Sequence, residues 1–216
     1  MKNIRKELSV WLQLGTFIAI WVIILFVSKT GLVINWEAVK KLPDVVTVYA
    51  ILYFVFSRWL WRLPVFQGWL IPYPDLQGTW EGTLQTTWVD PKTGKVPARI
   101  PLLLVIKQSF DSISCVMHTQ ESSSISNAAQ ISEDDNSGIY CLSYNYTNKP
   151  DAAIRGRSAI HDGAALLTVV RKPKKILKGE YWTNRKSTGS IELSYKSKEL
   201  AENFPDRLKS SKRGKP

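Results

Sequence analysis

The sequence has little cysteine and histidine. Only two cysteines, Cys115 and Cys141, and two histidines, His118 and His161, occur in 216 residues. The cysteines fall on separate predicted strands without a CxxC pair or a neighbouring histidine, which argues against a zinc ribbon and a disulfide framework. We expect reduced thiols in a cytosolic domain. A disulfide bond between Cys115 and Cys141 is the alternative.

The sequence also lacks the short motifs of common catalytic sites. It contains no HExxH, GxSxG, Walker or GxGxxG pattern, which disfavours the metalloproteases, serine hydrolases and nucleotide-dependent enzymes that use them. His161-Asp162-Gly163 holds an acid–base pair, but HDG more often forms a bulge or turn. We expect a protein that is not an enzyme and has no catalytic residue, cofactor or metal site.

Positive charge exceeds negative charge by 11. Such an excess permits attraction to the phosphates of nucleotides, nucleic acids or lipids without selecting one of them. Much of it lies in two runs, RKPKKILK at residues 171–178 and the chain end from Arg207 to Lys215. Solvated loops near a membrane are the ordinary explanation for such runs.

The first long apolar run predicts a transmembrane helix. From Val10 to Val27 the chain carries no charge, and a helix of that length covers roughly 27 Å, close to the thickness of the hydrocarbon core. A cleaved signal peptide is the alternative, but the run is longer than a usual signal core and no small-x-small cleavage pattern follows it. We therefore expect a retained anchor.

A second apolar run, Val45 to Trp61, predicts another transmembrane helix. Arg58 interrupts it near one end, where an arginine can extend to the lipid headgroups. Nearby aromatic side chains fit an interfacial belt: Trp59, Trp61, Trp69 and Tyr73. An amphipathic or buried helix of a soluble domain is the alternative.

Two spans would place both chain ends on one side of the membrane. Lysine and arginine flank the spans on both sides, so the positive-inside rule gives little direction. The basic C-terminal part with reduced thiols suits the cytoplasm. We expect residues 1–74 to form a transmembrane hairpin with a juxtamembrane linker, and both termini to be cytoplasmic.

Residues 75–197 predict an all-β domain. Short runs rich in Thr, Val, Ile, Tyr and Trp alternate there with turn sequences such as DPKTGK, DDNSG and TNKPD, which favours an antiparallel sandwich or barrel. We predict about eight strands, near residues 77–88, 96–108, 112–121, 123–132, 138–147, 156–169 with a kink at Gly163, 176–185 and 189–196. Residues 198–216 would form a basic, disordered tail.

Alternation assigns inner and outer faces to the last two strands, because successive side chains point to opposite sides. In the last strand the odd-numbered residues 191, 193 and 195 are apolar and face inward. The same rule in the strand before it gives five inward residues: Leu177, Gly179, Tyr181, Thr183 and Arg185. Trp182 and Asn184 then face outward, and residues 186–189 form a hairpin turn.

Gly78-Thr79-Trp80 opens the first predicted strand and resembles the GxW of lipocalin-like barrels, in which an arginine from the closing strands packs across the tryptophan ring. An outward set of Gln77, Glu81 and Gln85 sends Trp80, Leu84 and Trp88 inward. Arg185 would then close one barrel end on Trp80 by a cation–π contact of about 0.5–2 kcal/mol, without any ligand.

An inward arginine otherwise needs an anion, since an unpaired charge in a barrel interior costs too much free energy. Few acidic residues fall on the predicted inward faces. Small eight-stranded barrels either fill with side chains or hold one small ligand, and Arg155 and Arg157 near the neighbouring strand add positive charge. The sequence favours a partly open, positively charged interior.

The order of these features resembles a known family. The barrel opens on PDLQGTWEG at 74–82 and closes on LKGEYWTNR at 177–185 with GSIEL at 189–193, and His161 and Gly163 form an H-x-G pair. With two N-terminal membrane helices, the pattern resembles the SMODS-associating two-transmembrane, β-strand-rich effectors of bacterial CBASS antiphage systems. The likeness covers nearly the whole chain, and G-x-YWTNR-x-x-x-G is its most specific part.

The resemblance implies a multi-pass antiphage effector of the bacterial inner membrane. Its cytoplasmic barrel would bind a cyclic nucleotide, above all a cyclic dinucleotide, made by a partner CD-NTase during phage infection. Binding would promote oligomerisation and disrupt the inner membrane, killing the infected cell. Membrane lipids and further copies of the chain would be its other partners, and no nucleic-acid polymer is expected.

Such a ligand needs cations for its phosphates and flat or amide-bearing groups for its bases. Six side chains are candidates for the ligand site: Arg185, Tyr181, Thr183, Trp80, Tyr144 and Arg157. The resemblance transfers no ligand-binding motif, so these candidates rest on strand alternation.

Two other functions fit the same sequence. A membrane-anchored lipocalin-like module would carry a lipid or other hydrophobic small molecule, which GxW and the apolar run IPLLLVI at 100–106 favour. A purely structural scaffold, with Arg185 capping Trp80, is the third. A bound cyclic dinucleotide would distinguish the first function from both.

Overall fold

The computed structural model describes residues 2–33, 35–91, 93–134 and 136–208, with side chains described from Val10 onward. The chain divides into two compact units, residues 1–72 and 73–216. The expectation of disorder for residues 209–216 lies outside the described residues.

The first unit is helical. It contains α1 (Lys2–Val27), the short α2 (Trp36–Val39) and α3 (Leu42–Arg58). The Asn35 side chain caps α2 by accepting a hydrogen bond from the Ala38 backbone N–H at 2.9 Å. Helices α1 and α3 pack together, with the rings of Phe17 and Tyr49 edge to face at 5.9 Å.

Helix α1 contains a stretch that is long and apolar enough to cross a membrane, Val10–Val27. Most of its large apolar side chains are exposed, as expected of a helix whose surroundings are lipid. Among the described helices it alone meets this length and composition; α3 has 17 residues. The prediction of a second span stays a prediction.

The second unit is a closed antiparallel barrel of eight strands in sequence order, each paired with its neighbours and β8 paired with β1. The strands are β1 (Gly78–Thr86), β2 (Ile100–Gln108), β3 (Ile113–Thr119), β4 (Ser122–Glu133), β5 (Tyr140–Pro150), β6 (His161–Val170), β7 (Ile176–Thr183) and β8 (Thr188–Ser197). The predicted fold, an apolar N-terminal helix followed by an eight-stranded antiparallel barrel, is confirmed.

The up-and-down order gives the barrel two distinct ends. The starts of β1, β3, β5 and β7 lie at the Trp80 end, where the chain enters the barrel. The opposite Arg185 end carries the connections at residues 87–99, 120–121, 151–160 and 184–187.

The interior is apolar over most of its length. The inward residues with little or no exposure come from β1–β3 and β5–β8: Trp80, Leu102, Leu104, Ile106, Cys115, Leu142, Leu167, Leu177, Ile191 and Leu193. Strand β2 is also buried on its other face, at Leu103 and Val105. The Trp80 end is closed by Leu76, which is 1% exposed. Its backbone N–H donates to the Gln108 side chain at 2.8 Å, and its carbonyl accepts from Trp80 Nε1 at 2.9 Å.

Several predicted strands are too long. The predicted strand 156–169 begins only at His161, because residues 152–154 form a 3₁₀ turn and residues 155–160 continue as a loop. Trp88, predicted to face inward, follows the end of β1 and is 48% exposed. Strand propensity continues past the last paired residue in both places, whereas pairing with the neighbouring strand sets where a strand ends.

Residues 198–208, here called the C-terminal strap, are ordered along the outside of β1, contrary to the predicted disorder. The Thr79 hydroxyl donates to the Glu199 carbonyl at 2.6 Å and accepts from the Ala201 N–H at 3.0 Å. Arg207 donates to both carboxylate oxygens of Glu81. These specific contacts to β1 explain an ordered segment that its charged composition does not predict.

Candidate functional site

Buried polar side chains gather at the Arg185 end. Five of them come from β1, β4, β5, β6 and β7: Thr86, Ser124, Asn148, His161 and Thr183. The Ser124 hydroxyl donates to the Asn148 side-chain oxygen at 2.8 Å. Because the rest of the interior is apolar except for Gln108, which bonds Leu76 at the Trp80 end, this polar layer marks the Arg185 end as the part of the barrel suited to a polar ligand.

Arg185 lies in the β7–β8 turn and not on the strand, so the prediction that it points into the barrel as a strand residue is wrong. Strand β7 ends at Thr183, whose N–H donates to the Ser187 carbonyl at 3.0 Å. Residues 184–187 form the turn, with Lys186 in a left-handed conformation at φ 61°. Arg185 is exposed at the rim of the Arg185 end.

Two neutral side chains hold the guanidinium of Arg185. Nη1 donates to the Ser158 hydroxyl at 3.2 Å, and Nη2 lies 3.2 Å from Nε2 of His161. Within the part of the chain that the structure describes, Arg185 forms no ion pair with a carboxylate. The guanidinium therefore keeps an uncompensated positive charge at the rim.

Two tyrosines line the interior below this rim. Tyr146 of β5 and Tyr181 of β7 are each 7% exposed. They face glycines on the paired strands, with Tyr146 opposite Gly163 and Tyr181 opposite Gly189. A Cβ on Gly189 would lie 2.6 Å from the Tyr181 ring. The glycines thus admit large aromatic rings that side chains there would exclude.

The tyrosines remain protonated at neutral pH. Burial raises the pKa of Tyr146 to about 12 against the opposing effect of the Arg185 charge. Burial also raises the pKa of Tyr181, while a hydrogen bond with Thr86 and the Arg185 charge act in the other direction. The rings therefore add aromatic surface and neutral hydroxyls to this end, and no charge.

His161 is buried beside Arg185. Its Nδ1 lies 2.9 Å from the carbonyl oxygen of Ala159. Burial, with a contribution from the Arg185 charge, lowers the pKa of His161 below its ordinary value of 6.5. The imidazole is therefore neutral at neutral pH.

Arg157 belongs to the same end but is engaged elsewhere. Its Nη2 lies 2.6 Å from the Glu121 carboxylate, and both side chains are more than half exposed. The structure therefore places this predicted site residue on the outer loops, as a paired surface charge.

Trp80 lies towards the other end of the barrel, so the prediction that Arg185 caps its ring is wrong. Trp80 pairs in register with Tyr195 on β8, whereas Arg185 precedes the start of that strand. The Tyr195 ring packs edge to face on Trp80 at 5.2 Å. With 0% exposure, Trp80 belongs to the closed core and not to the polar layer.

Tyr144 points inward one step deeper than Tyr146. Its residue exposure is 3%, and its hydroxyl has no hydrogen-bond partner among the described residues. Burial raises the pKa of Tyr144 well above its ordinary value. The structure brings Tyr181, Thr183 and Arg185 together and leaves Tyr144 beneath them.

Trp182 and Asn184 face the outer surface, as alternation predicts. They border a shallow groove of about 330 Å³ with Asn127, Asn145 and Asp162. This groove lies on the opposite side of the strands from the polar layer.

Tyr146 and His161 also lie at this end, although the sequence did not mark them as ligand-site residues. Continued alternation through YCLSYNYTN at 140–148 sends Tyr146 inward with Tyr144, and could have found it. His161 stood out only as part of an H-x-G pair, because its proximity to Arg185, 24 positions later, depends on the pairing of β6 with β7.

A sequence profile decides the family of this barrel. The profile described as "Cap15, cyclic dinucleotide receptor domain" matches residues 71–195, which contain all eight strands except the last two residues of β8. The chain belongs to this family. The prediction of a CBASS effector that binds a cyclic nucleotide is thereby confirmed.

Curated relatives agree with membership of the Cap15 receptor family. A "CD-NTase-associated protein 15" of Escherichia albertii is 27% identical over 195 residues, covering 84% of this chain and 91% of the relative. A protein with the same description from Staphylococcus schleiferi is 27% identical over 180 residues, covering 83% and 91%. Similarity to these proteins therefore extends beyond the Cap15 receptor barrel into the helical unit.

Proposed function

We propose that the cyclic dinucleotide binds at the Arg185 end of the barrel, with one phosphate against the Arg185 guanidinium. The observation that carries this proposal is the uncompensated charge of Arg185 beside a polar layer. Ser158 and His161 orient the guanidinium without neutralising it. Arginine binds phosphate strongly because its fork of N–H donors matches the phosphate oxygens.

The surrounding groups suit the rest of a dinucleotide. Tyr146 and Tyr181 present aromatic rings and hydroxyls, and Asn148 and Thr183 add amide and hydroxyl groups. Nucleobases stack on aromatic faces and are read by such polar groups. Entry from the Trp80 end is disfavoured, because Leu76, Gln108 and Trp80 close it.

The lipid-binding alternative has less support. A lipid tail would need the apolar half of the interior, which side chains such as Trp80, Leu104 and Leu177 already fill with 0% exposure. The polar layer and Arg185 would also have to accept an apolar molecule at the entrance, at a desolvation cost. The geometry therefore favours an anionic ligand.

In the proposed function the ligand comes from a partner CD-NTase, and its binding promotes self-association and disruption of the inner membrane. The protein would act as a receptor and not as an enzyme. Coupling requires that the ligand bind the assembled state more tightly than the resting state, since equal affinity would shift nothing.

The proposed location is the bacterial inner membrane, with two spans and both termini in the cytoplasm. Helix α3 supports a second span, since no charged residue lies between Asp44 and Arg58 and its apolar side chains, such as Ile51 and Phe54, are exposed. Its 17 residues cover about 26 Å of helix, near the thickness of the hydrocarbon core. The exposed apolar surface of both helices supports lipid as a partner.

The test is binding of cyclic dinucleotides to the full chain in detergent micelles. Calorimetry with a panel of 3′,3′-linked cyclic dinucleotides containing A, G, C and U identifies a ligand for the wild type. Arg185→Ala is expected to weaken its affinity about ten- to hundredfold, the loss of one charge-assisted contact to phosphate. Arg157→Ala is the matched control, since this arginine at the same end is already paired with Glu121.

Equal affinity of Arg185→Ala and the wild type would exclude the proposed site, and a panel without any binder would contradict ligand binding itself. The membrane effect is tested by expressing the chain with and without an active CD-NTase that makes the bound nucleotide. Loss of membrane potential is expected only with the synthase and the wild-type arginine. Equal damage without the synthase would overturn ligand control.

A further inference from the structure

Two hydrogen bonds determine the protonation of His161 in the free barrel. The Ala159 carbonyl can only accept, so Nδ1, 2.9 Å away, must donate. The Arg185 guanidinium can only donate, so Nε2, 3.2 Å from Nη2, must accept. The ring is therefore the neutral tautomer with its proton on Nδ1, and its other nitrogen is directed at the cation that we assign to the ligand phosphate.

The charged and titratable groups around His161 act in opposite directions. Arg185 from the β7–β8 turn opposes a positive imidazole, and Asp162, adjacent on β6, favours one. Tyr146 of β5 and Tyr181 of β7 are neutral because burial raises the pKa of each. In the preceding loop Arg157 is paired with Glu121. Arg185 is thus the charge whose neutralisation would raise the pKa of the imidazole most directly.

We propose that His161 takes up a proton when a phosphate of the cyclic dinucleotide binds Arg185, so that two cations surround one phosphate. The inference rests on the proposed binding site. The proton comes from solvent and bonds to Nε2, which changes from an acceptor of Arg185 into a donor to a phosphate oxygen. The guanidinium N–H that His161 held is then free to turn to the phosphate.

Linkage gives the direction of the effect. A phosphodiester beside the pair favours the charged imidazole, so the pKa of His161 is higher in the complex than in the free barrel, where it is lowered. Ligand binding and protonation of His161 therefore promote each other. The affinity is therefore expected to rise as pH falls between the two pKa values, by up to about tenfold per pH unit for one proton. Above and below that window it stays constant.

The measurement is calorimetry of the full chain in micelles with the cyclic dinucleotide that binds the wild type most tightly. Titrations near pH 6.5 in PIPES and in Bis-Tris buffer give the number of protons taken up, because the two buffers differ in ionisation enthalpy and neither supplies a phosphate that competes for Arg185. A second series between about pH 5.5 and 8 gives the pH dependence of Kd. The wild type is expected to take up a fraction of one proton and to bind more tightly at the acidic end.

His161→Gln is expected to bind without proton uptake and with a Kd that no longer changes with pH. His161→Asn, which keeps an amide near the position of Nδ1, serves if the glutamine variant unfolds; thermal unfolding of both checks this. His118→Gln is the matched control. It removes the other histidine of the chain, whose pKa burial also lowers and which bonds Ser123 on β4. It should keep the wild-type uptake and pH profile.

The outcomes separate this inference from the binding site. If Arg185→Ala binds as the wild type does, the site is wrong and the inference fails with it. If binding depends on Arg185 but the wild type takes up no proton, the inference alone is overturned. Uptake that persists in His161→Gln, or affinity that falls with pH in the wild type, also overturns it.

Discussion

Tyr146 of β5 occupies the space in which a side chain at Gly163 of β6 would lie. A Cβ on Gly163 would be 2.5 Å from the Tyr146 hydroxyl oxygen and 2.7 Å from the Trp182 carbonyl oxygen. Real Cβ atoms do not approach other atoms so closely. The glycine therefore allows the Tyr146 ring to lie beneath Arg185, and it sits two residues after His161 in the H-x-G pair.

Gly163→Ala is expected to displace Tyr146 and to strain the pairing of β6 with β7. Because the added methyl meets backbone as well as a side chain, we expect a loss of stability of about 1–3 kcal/mol and weaker binding of the cyclic dinucleotide. Thermal unfolding and calorimetry measure the two effects. Gly156→Ala is the control, since a Cβ there meets nothing within 4 Å. A Gly163→Ala variant with wild-type stability and affinity would show that the Tyr146 ring does not depend on a glycine at residue 163.

Tyr144→Phe tests how deep the ligand reaches. The Tyr144 hydroxyl is buried without a partner among the described residues, so its removal is expected to leave stability unchanged or to raise it by about 1 kcal/mol. Affinity for the ligand should not change if the site is confined to the polar layer. Weaker binding by a variant of normal stability would instead extend the site to Tyr144, as the sequence predicted.

Trp80→Phe is expected to lower stability without changing ligand affinity. The substitution removes the hydrogen bond from Nε1 to the Leu76 carbonyl, which is 2.9 Å long, and leaves a cavity in a core position. Together these cost about 2–4 kcal/mol. Chemical denaturation measures the loss, and calorimetry on the folded variant measures affinity. If the folded Trp80→Phe variant bound the ligand more weakly than the wild type, a site confined to the Arg185 end would be contradicted.

Glu81→Gln tests the C-terminal strap and its pH dependence. The hydrogen bond from Arg207, with the positive charges of Arg207 and Lys196, lowers the pKa of Glu81 below its ordinary value of 4.5. A lowered pKa in the folded state stabilises the fold above the unfolded value and loses that effect as pH falls through the folded value. The variant should therefore be less stable than the wild type at neutral pH, with the difference shrinking below about pH 4.5.

Hydrogen exchange supplies a local readout for the strap. In Glu81→Gln the backbone amides of residues 199–208 should exchange faster than in the wild type, because Arg207 loses its charged partner. Glu192→Gln on the adjacent strand β8 is the control, since none of the ion pairs of the described residues includes it. Unchanged exchange in Glu81→Gln would show that the Thr79 hydrogen bonds alone hold the strap.

Local patterning predicted much of the barrel. Alternation is a property of a single strand, so the inward positions of Tyr181 and Thr183 and the outward position of Trp182 followed without knowledge of any partner. The number of strands followed from the turn sequences between them. The positions of the strand ends did not follow from local patterning, because they depend on which residues find hydrogen-bond partners across the sheet.

Arg185 shows the difference most clearly. The predicted alternation was extended two residues past the end of β7 and placed Arg185 inside the barrel. The hydrogen bond from the Thr183 N–H to the Ser187 carbonyl ends the strand at Thr183. The same turn puts Arg185 at the rim, where a charge remains solvated. The sequence singled out this side chain as a candidate for the ligand site, which stays a prediction, and assigned it to the wrong part of the structure.

By itself, the sequence determined the apolar helix and the eight-stranded barrel, because hydropathy, alternation and turn residues act over a few neighbouring positions; the family came from the resemblance of its motifs. Only the tertiary structure decided that Trp80 belongs to the closed end, that the C-terminal strap is ordered on β1, and that His161 meets Arg185. Contacts of this kind join distant parts of the chain through the register of paired strands. Barrel closure sets that register, and no local pattern specifies it.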